Sequence, residues 1–321
     1  MEAQYLREDA SRIATAADRQ ATTRHECGSA LRYQLASYSF LLPWLIGFFA
    51  LTLGPALSSL YLSFTDYDLV DTPYWIGIGN YARIASDDPR FLKAMQVTFT
   101  FVVLSVPLKL TFALAIAITL NKGLRGLTFF RAVFYLPSLI GASVAIAVLW
   151  RQIFAGDGLL NKLLASVFGY EGPSWISTPG TALYTIVLLA VWQFGSPMII
   201  FLAGLRQIPQ DMYEAASIDG AGARRQFLKI TLPLLTPVIF FNAVIQTIDA
   251  FKAFTSAFVI SNGSGGPIDS TLFYTLYLYQ EAFVNFRIGY ASALAWVLVV
   301  IICIFTALSF LSARFWVHYD D

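Results

Sequence analysis

The residues that could do chemistry cluster first between 206 and 233. Glu214-Ala215-Ala216 is followed after three residues by Gly220 and, nine residues further on, by Ile230-Thr231-Leu232-Pro233. The chemistry on offer is recognition. Pro209 suits the first turn of a helix, where a missing N–H is no loss. Asp211 and Glu214 follow near the positive end of that helix. The pattern predicts a helix over 210–218 and a turn at Asp219-Gly220, because glycine accepts the left-handed conformation that ends helices. A second short helix over 223–229 then leads to Pro233 at the start of a long apolar segment. Ala215 and Ala216 keep the first helix slim enough to lie in a groove on a partner, and Glu214 offers a carboxylate to a partner's Arg or Lys. Glu-Ala-Ala alone reads as a plain connecting helix with a solvated face. Glu214, Ala215, Ala216, Gly220, Ile230, Leu232 and Pro233 together read as a docking loop.

A second set of polar residues stands in otherwise apolar segments. At helical periodicity Asn242, Gln246 and Asp249 fall on one narrow stripe, as do Thr185, Trp192 and Ser196, with Gln193 at the border of the second. Amides and a carboxylate beside an indole suit a sugar, which needs hydrogen bonds to its hydroxyls and a flat apolar face against its ring. Interhelical polar contacts within one subunit are the other reading. Asp249 and Lys252, three apart, can neutralise each other. Lys109 stands in the middle of an apolar segment, where an unpaired charge costs several kcal/mol. It snorkels, pairs, or faces a wet cavity, and a cation there would suit an anionic substrate.

The elements that must position these residues are membrane spans. Hydrophobic residues make up 57% of the chain and charged residues 13%, against about 25% charged in an average soluble domain. Mean hydropathy is +0.63. Five charge-free gaps, and a further apolar stretch over 97–120 broken only by Lys109, each hold the ~20 apolar residues needed to cross the hydrocarbon core. They predict six helices, over 37–62, 97–120, 131–150, 182–204, 233–256 and 289–312. The fold class expected is therefore an all-α, polytopic membrane protein with six transmembrane helices and a cytoplasmic helix-turn-helix docking loop. The domains are an N-terminal tail over 1–35, a permease domain over 36–314 with the coupling loop at 206–232, and a C-terminal tail over 315–321. Thirteen Lys and Arg fall on the side of both termini and the docking loop, against five in the opposite loops. That bias places both termini and the loop in the cytoplasm. A net charge of +1 points to no nucleic-acid partner. Cys27 and Cys303 build neither a disulfide framework nor a metal site. The stretch 159–168 is amphipathic and predicts a short helix.

From about Tyr38 to Arg314 the chain resembles the six-helix inner-membrane permeases of carbohydrate-importing ATP-binding-cassette transporters, the maltose-type family. The docking loop carries the resemblance. So do Gly79-Asn80-Tyr81, Phe130-Arg131 followed by Pro137 and Trp150, Gly158 with Asn161, and Asp249-Ala250-Phe251-Lys252 with Gly265-Gly266-Pro267. It also resembles permeases for acidic oligosaccharides such as alginate or pectin fragments. The resemblance implies a non-catalytic subunit forming half of a translocation pathway for a sugar or oligosaccharide. The tentative pathway residues are Lys109, Trp192, Gln193, Ser196, Asn242, Gln246 and Asp249. Implied partners are a second six-helix permease, two ATPase subunits docking at Glu214–Pro233, an extracytoplasmic solute-binding protein and membrane lipid. The chain has no Gly-x-x-x-x-Gly-Lys-Ser/Thr sequence, so ATP and Mg belong to the ATPases and the chain needs no cofactor of its own. The rival is a stand-alone secondary transporter or channel, which uses broken helices near the midplane. No span shows a central Gly/Pro break paired in its other half. An intramembrane enzyme is a third class, but no histidine or Ser–Lys or Asp–Asp pair is placed for chemistry.

Overall fold

The structure, a computed structural model, describes residues 38–123, 126–141 and 143–318. The tail over 1–35 with Cys27, and Arg125, lie outside them. The chain divides after Tyr61 into two units. The described residues of the first belong to one apolar helix, α1 (Tyr38–Leu62), whose last residue falls in the second unit. A wide π turn over Phe48–Leu53 precedes Pro55, whose ring cannot fit the tighter α geometry against the carbonyl four residues back.

The second unit opens on a two-residue antiparallel ladder, β1 (Thr65–Asp66) with β2 (Tyr74–Trp75). Apart from this ladder, the regular structure among the described residues is helical, as an all-α chain requires. Asn80 on α2 (Gly79–Ser86) ties the ladder down, its amide donating to the carbonyls of Ser63 (3.0 Å) and Thr65 (2.9 Å).

Helix α3 (Pro89–Asn121) is 33 residues long and packs against five later helices. It starts eight residues before the expected 97 because Asp88-Pro89 is a strong start signal. The Asp88 carboxylate accepts from the Phe91 N–H at 3.0 Å, and proline fits the first turn. The chain continues through α4 (Leu127–Ile140), α5 (Val144–Phe154), α6 (Leu159–Phe168), α7 (Pro179–Trp192), α8 (Gly195–Gln207), α9 (Gln210–Ile218), α10 (Ala223–Leu234) and α11 (Thr236–Phe251). Last come α12 (Thr255–Ile260), α13 (Tyr274–Tyr279), which runs on as a π turn over Gln280–Val284, and α14 (Ile288–Trp316). Helices α1, α3 and α14 are each long and apolar enough to cross a membrane, and the number is six if each of the bent pairs α4 with α5–α6, α7–α8 and α10–α11 counts as one span.

Those three pairs correct the expectation of unbroken spans. The α7–α8 pair bends by 42° and the α10–α11 pair by 62°. Pro237 has no N–H to give Pro233, and the Thr236 hydroxyl takes that carbonyl instead at 2.7 Å, so the helix turns there. Pro233 accordingly lies in the last turn of α10, not at the start of the fifth span. A π turn over Phe227–Thr231 carries the second short helix past Lys229 to meet it.

Two apolar layers form the core. One surrounds Phe251, Phe273, Tyr274 and Leu294, with Val97 to Val106 of α3. The other surrounds Met198, Phe201, Leu205 and Leu235, with Ala113 to Leu120 of α3. Lys109 falls between the layers, in the middle part of α3, the longest helix among the described residues. The end of α3 at Asp88 is tied to the later chain. Tyr277 and Tyr290 both donate their hydroxyls to the Asp88 carboxylate, and Arg90 pairs with Asp269 at 3.2 Å. Burial pushes the Asp88 carboxyl up. The two phenol donors and the capping N–H outweigh that and hold it below the usual range.

Candidate functional site

The broken spans meet at their breaks. Gln193, non-helical between α7 and α8, donates its side-chain amide to the Gly141 carbonyl at the end of α4 (3.1 Å). The Ser138 hydroxyl donates to the Gln193 carbonyl (3.0 Å) and accepts from the Ser196 N–H (2.9 Å). Each break therefore satisfies the backbone groups that the other leaves free, as apolar surroundings demand. The fit is close. A Cβ on Gly195 would stand 2.5 Å from the Phe134 carbonyl oxygen and 2.7 Å from the Tyr135 Cα. One on Gly141 would stand 2.4 Å from the Gln193 side chain.

A cavity of about 490 Å³ opens beside this junction, at the level of Lys109 between the two apolar layers. Lys109, Gln193, Ser196, Gln246 and Asp249 all line it, with Ser138 and Lys252. The Asp249 charge acts on Lys109 and also pairs with Lys252 at 3.4 Å. The charged lining is thus two ammonium groups and one carboxylate. Hydroxyls, amides and charges of both signs around one space can bind a polyhydroxylated solute through many weak hydrogen bonds.

Two of the expected pathway residues stand elsewhere. Trp192 packs on Trp150 with ring centroids 6.0 Å apart, and Trp150 donates to the carbonyl of buried Thr185 at 2.9 Å. The wheel that placed Trp192 beside Ser196 runs across a bend, and non-helical Gln193 resets its phase. Asn242 is wholly buried, and neither atom of its amide has a partner among the described residues. It lies on the cavity's side of α11 but a turn below Gln246, level with the second apolar layer. An orphaned buried amide costs about 1–3 kcal/mol. Missing from the sequence reading are Ser138 and Gly141. Ser138 is an ordinary residue in an apolar run, and Gly141 is informative only beside Gln193.

The docking loop is the second half of the site. Helix α9 covers Gln210–Ile218 and ends at Gly220, whose φ is +77°. The Ala221 N–H bonds the Ala216 carbonyl (2.8 Å) and the Gly220 N–H bonds that of Ser217 (3.1 Å), closing the helix. Gln226 braces the turn from α10, donating to the Ser217 hydroxyl and the Ala221 carbonyl. Tyr213 meets the Thr231 hydroxyl at 2.9 Å. Together with Ile230 and Leu234, it packs on the second apolar layer. Leu232 and Pro233 are half-buried. The opposite side of α9 is bare. Glu214, Ala215 and Ile218, neighbours one turn apart, are exposed, Ile218 by 87%. The helix thus presents an apolar side chain and a carboxylate side by side.

Comparison with known proteins fits this geometry. The chain is 52% identical over 287 residues to the probable ABC transporter permease protein YesP of Bacillus subtilis (strain 168), covering 89% of this chain and 93% of that one. It is 33% identical over 288 residues to the lactose transport system permease protein LacF of Rhizobium radiobacter, covering 88% and 95%. The fold matches a subunit in the crystal structure of a bacterial ABC transporter involved in the import of the acidic polysaccharide alginate. There the TM-score is 0.77 at 20% identity, over 89% of this chain and 97% of that one. Bent helix pairs around a polar cavity would also suit a stand-alone transporter, so the bends alone do not decide the class. The family does: the model for "binding-protein-dependent transport system inner membrane component" matches residues 76–318, and the chain belongs to that family.

Proposed function

We propose that the chain is the transmembrane subunit of an ATP-driven importer for a sugar or oligosaccharide, forming half of the pathway and taking its power from separate ATPases that dock on α9. The supporting observation is the separation of two surfaces in one unit. A polar cavity lies at mid-depth, and a rigid helix with a bare Glu214–Ile218 face lies beyond the second apolar layer. A single chain gives half of the pathway, so a second six-helix permease completes it, and two ATPase subunits bind ATP and Mg. The α9 end is cytoplasmic by the Lys/Arg bias. The Asp88 end then faces outward, where a solute-binding protein delivers substrate. The lactose relative named above supports the sugar class, as do the hydroxyls and amides of the cavity.

Reconstitution tests this. The chain, its partner permease, the ATPases and the binding protein are placed in liposomes with labelled lactose, maltose, maltotriose, maltopentaose, digalacturonate and trigalacturonate outside. ATP inside should drive accumulation of at least one of these sugars, and only with the binding protein present. Accumulation without ATPase or binding protein would identify a stand-alone transporter instead.

A further inference from the structure

We propose that Phe283, Tyr279 and Phe254, backed by Phe258, form an aromatic track along which a sugar chain slides from the Asp88 end into the cavity. The proposal rests on the importer reading above. Depth is fixed by contacts with α3. The Tyr274 N–H bonds the Thr98 hydroxyl (2.8 Å), well inside that helix, while Tyr277 reaches its cap at Asp88. Helix α13 therefore climbs outward. Its inner end is fixed at cavity level by Thr275, which donates to the Ala253 carbonyl at 2.5 Å. Ala253 and Phe254 both line the cavity.

The rings follow that climb. Phe254 and Tyr279 have centroids 5.3 Å apart, and Tyr279 and Phe283 5.1 Å. Phe258 wedges behind, 5.3 Å from both Phe254 and Tyr279. The outer end of the cluster is uncovered, with Phe283 62% exposed. One end of the track is thus open and the other opens onto a polar chamber. The apolar C–H face of a sugar ring lies flat on an aromatic face, and the contact is broad and undirected. Such contacts hold a chain without fixing its register, whereas the hydrogen-bonding groups around Gln193 and Asp249 would fix it. Steps of about one sugar ring suit an oligosaccharide of several units.

The test uses the reconstituted assembly and the six labelled sugars, with loaded binding protein in excess. Phe283→Leu keeps the apolar character but removes the ring, and Phe283→Trp restores one. Phe283→Leu should lower the maximal uptake of the three-unit and longer sugars about tenfold, the scale of one lost ring contact. Disaccharide uptake should fall less than about twofold on that scale, and Phe283→Trp should recover most of the loss. Equal losses at every length, or none, overturn the track. So does a fall in membrane-inserted protein at unchanged rate per molecule, which would make Phe283 a lipid-interface anchor. Uptake confined to disaccharides in the unaltered assembly also overturns it. If the unaltered assembly takes up none of the six, the sugar reading fails and the track with it.

Discussion

Gly195→Val is expected to leave almost no folded subunit in the membrane. The added side chain would begin 2.5 Å from the Phe134 carbonyl oxygen and 2.7 Å from the Tyr135 Cα. Both are backbone atoms that no rotamer change can move aside. Overpacking of this kind costs about 3 kcal/mol or more, a large part of what holds a domain together. The Ser138–Ser196 bond would be lost with it, leaving free backbone groups in an apolar layer. Gly180→Val is the companion variant, because nothing stands within 4 Å of a Cβ there. Detergent-extracted fusions run on a sizing column give the answer. Gly195→Val should appear as aggregate or be missing, and Gly180→Val should match the unaltered chain. A normal monodisperse peak for Gly195→Val would show that the two breaks do not interlock as described.

Gly220→Val should uncouple the importer without unfolding it. No atom lies within 4 Å of a Cβ at Gly220, so the effect is conformational and not a clash. A β-branched residue held at φ +77° pays about 1–2 kcal/mol, enough for α9 to leave its closed turn in most molecules. Uptake should fall about tenfold or more on that estimate, and ATP hydrolysis should stop responding to the loaded binding protein. Gly220→Asn should retain most activity, since asparagine tolerates the left-handed region. Stimulated hydrolysis at the usual level in Gly220→Val would remove α9 from the coupling path.

The helix and turn over 210–220 were legible in the sequence because local chemistry writes them. Pro209 and Gly220 mark both ends of α9, and tertiary contacts only had to agree. Span number was legible because charge is excluded from the hydrocarbon layer wherever the helices happen to bend. The bends themselves were hidden for two different reasons. Pro237 carries a local signal, overlooked beside Pro233. Gly141, Gln193 and Gly195 carry almost none, because each break exists to fit the other. A wheel can place Gln246 and Asp249 on one face of unbroken α11, but it cannot carry Trp192 across the α7–α8 bend. Nor does it know depth, which is why Asn242 shares their stripe yet lies below the cavity.

The interlocked breaks also limit how the molecule can move. Gly141 with Gln193, and Gly195 with Phe134, act as meshed teeth, so neither bent pair can straighten while the other stays still. We expect α4, α5, α7 and α8 to swing as one stiff plate. A disulfide across that mesh, from Ser138→Cys and Ser196→Cys in a chain without Cys27 and Cys303, should leave uptake at the level of the same variant with the bond reduced. Arrest by that bond would show that the plate flexes internally. At the α10–α11 bend the Thr236 hydroxyl donates to the Pro233 carbonyl and accepts from the His318 N–H at 2.9 Å, and the bend adjoins the docking loop. On the importer reading proposed above, a pull on α9 would reach that bend first, and the plate would answer as a lever whose long arm closes the chamber.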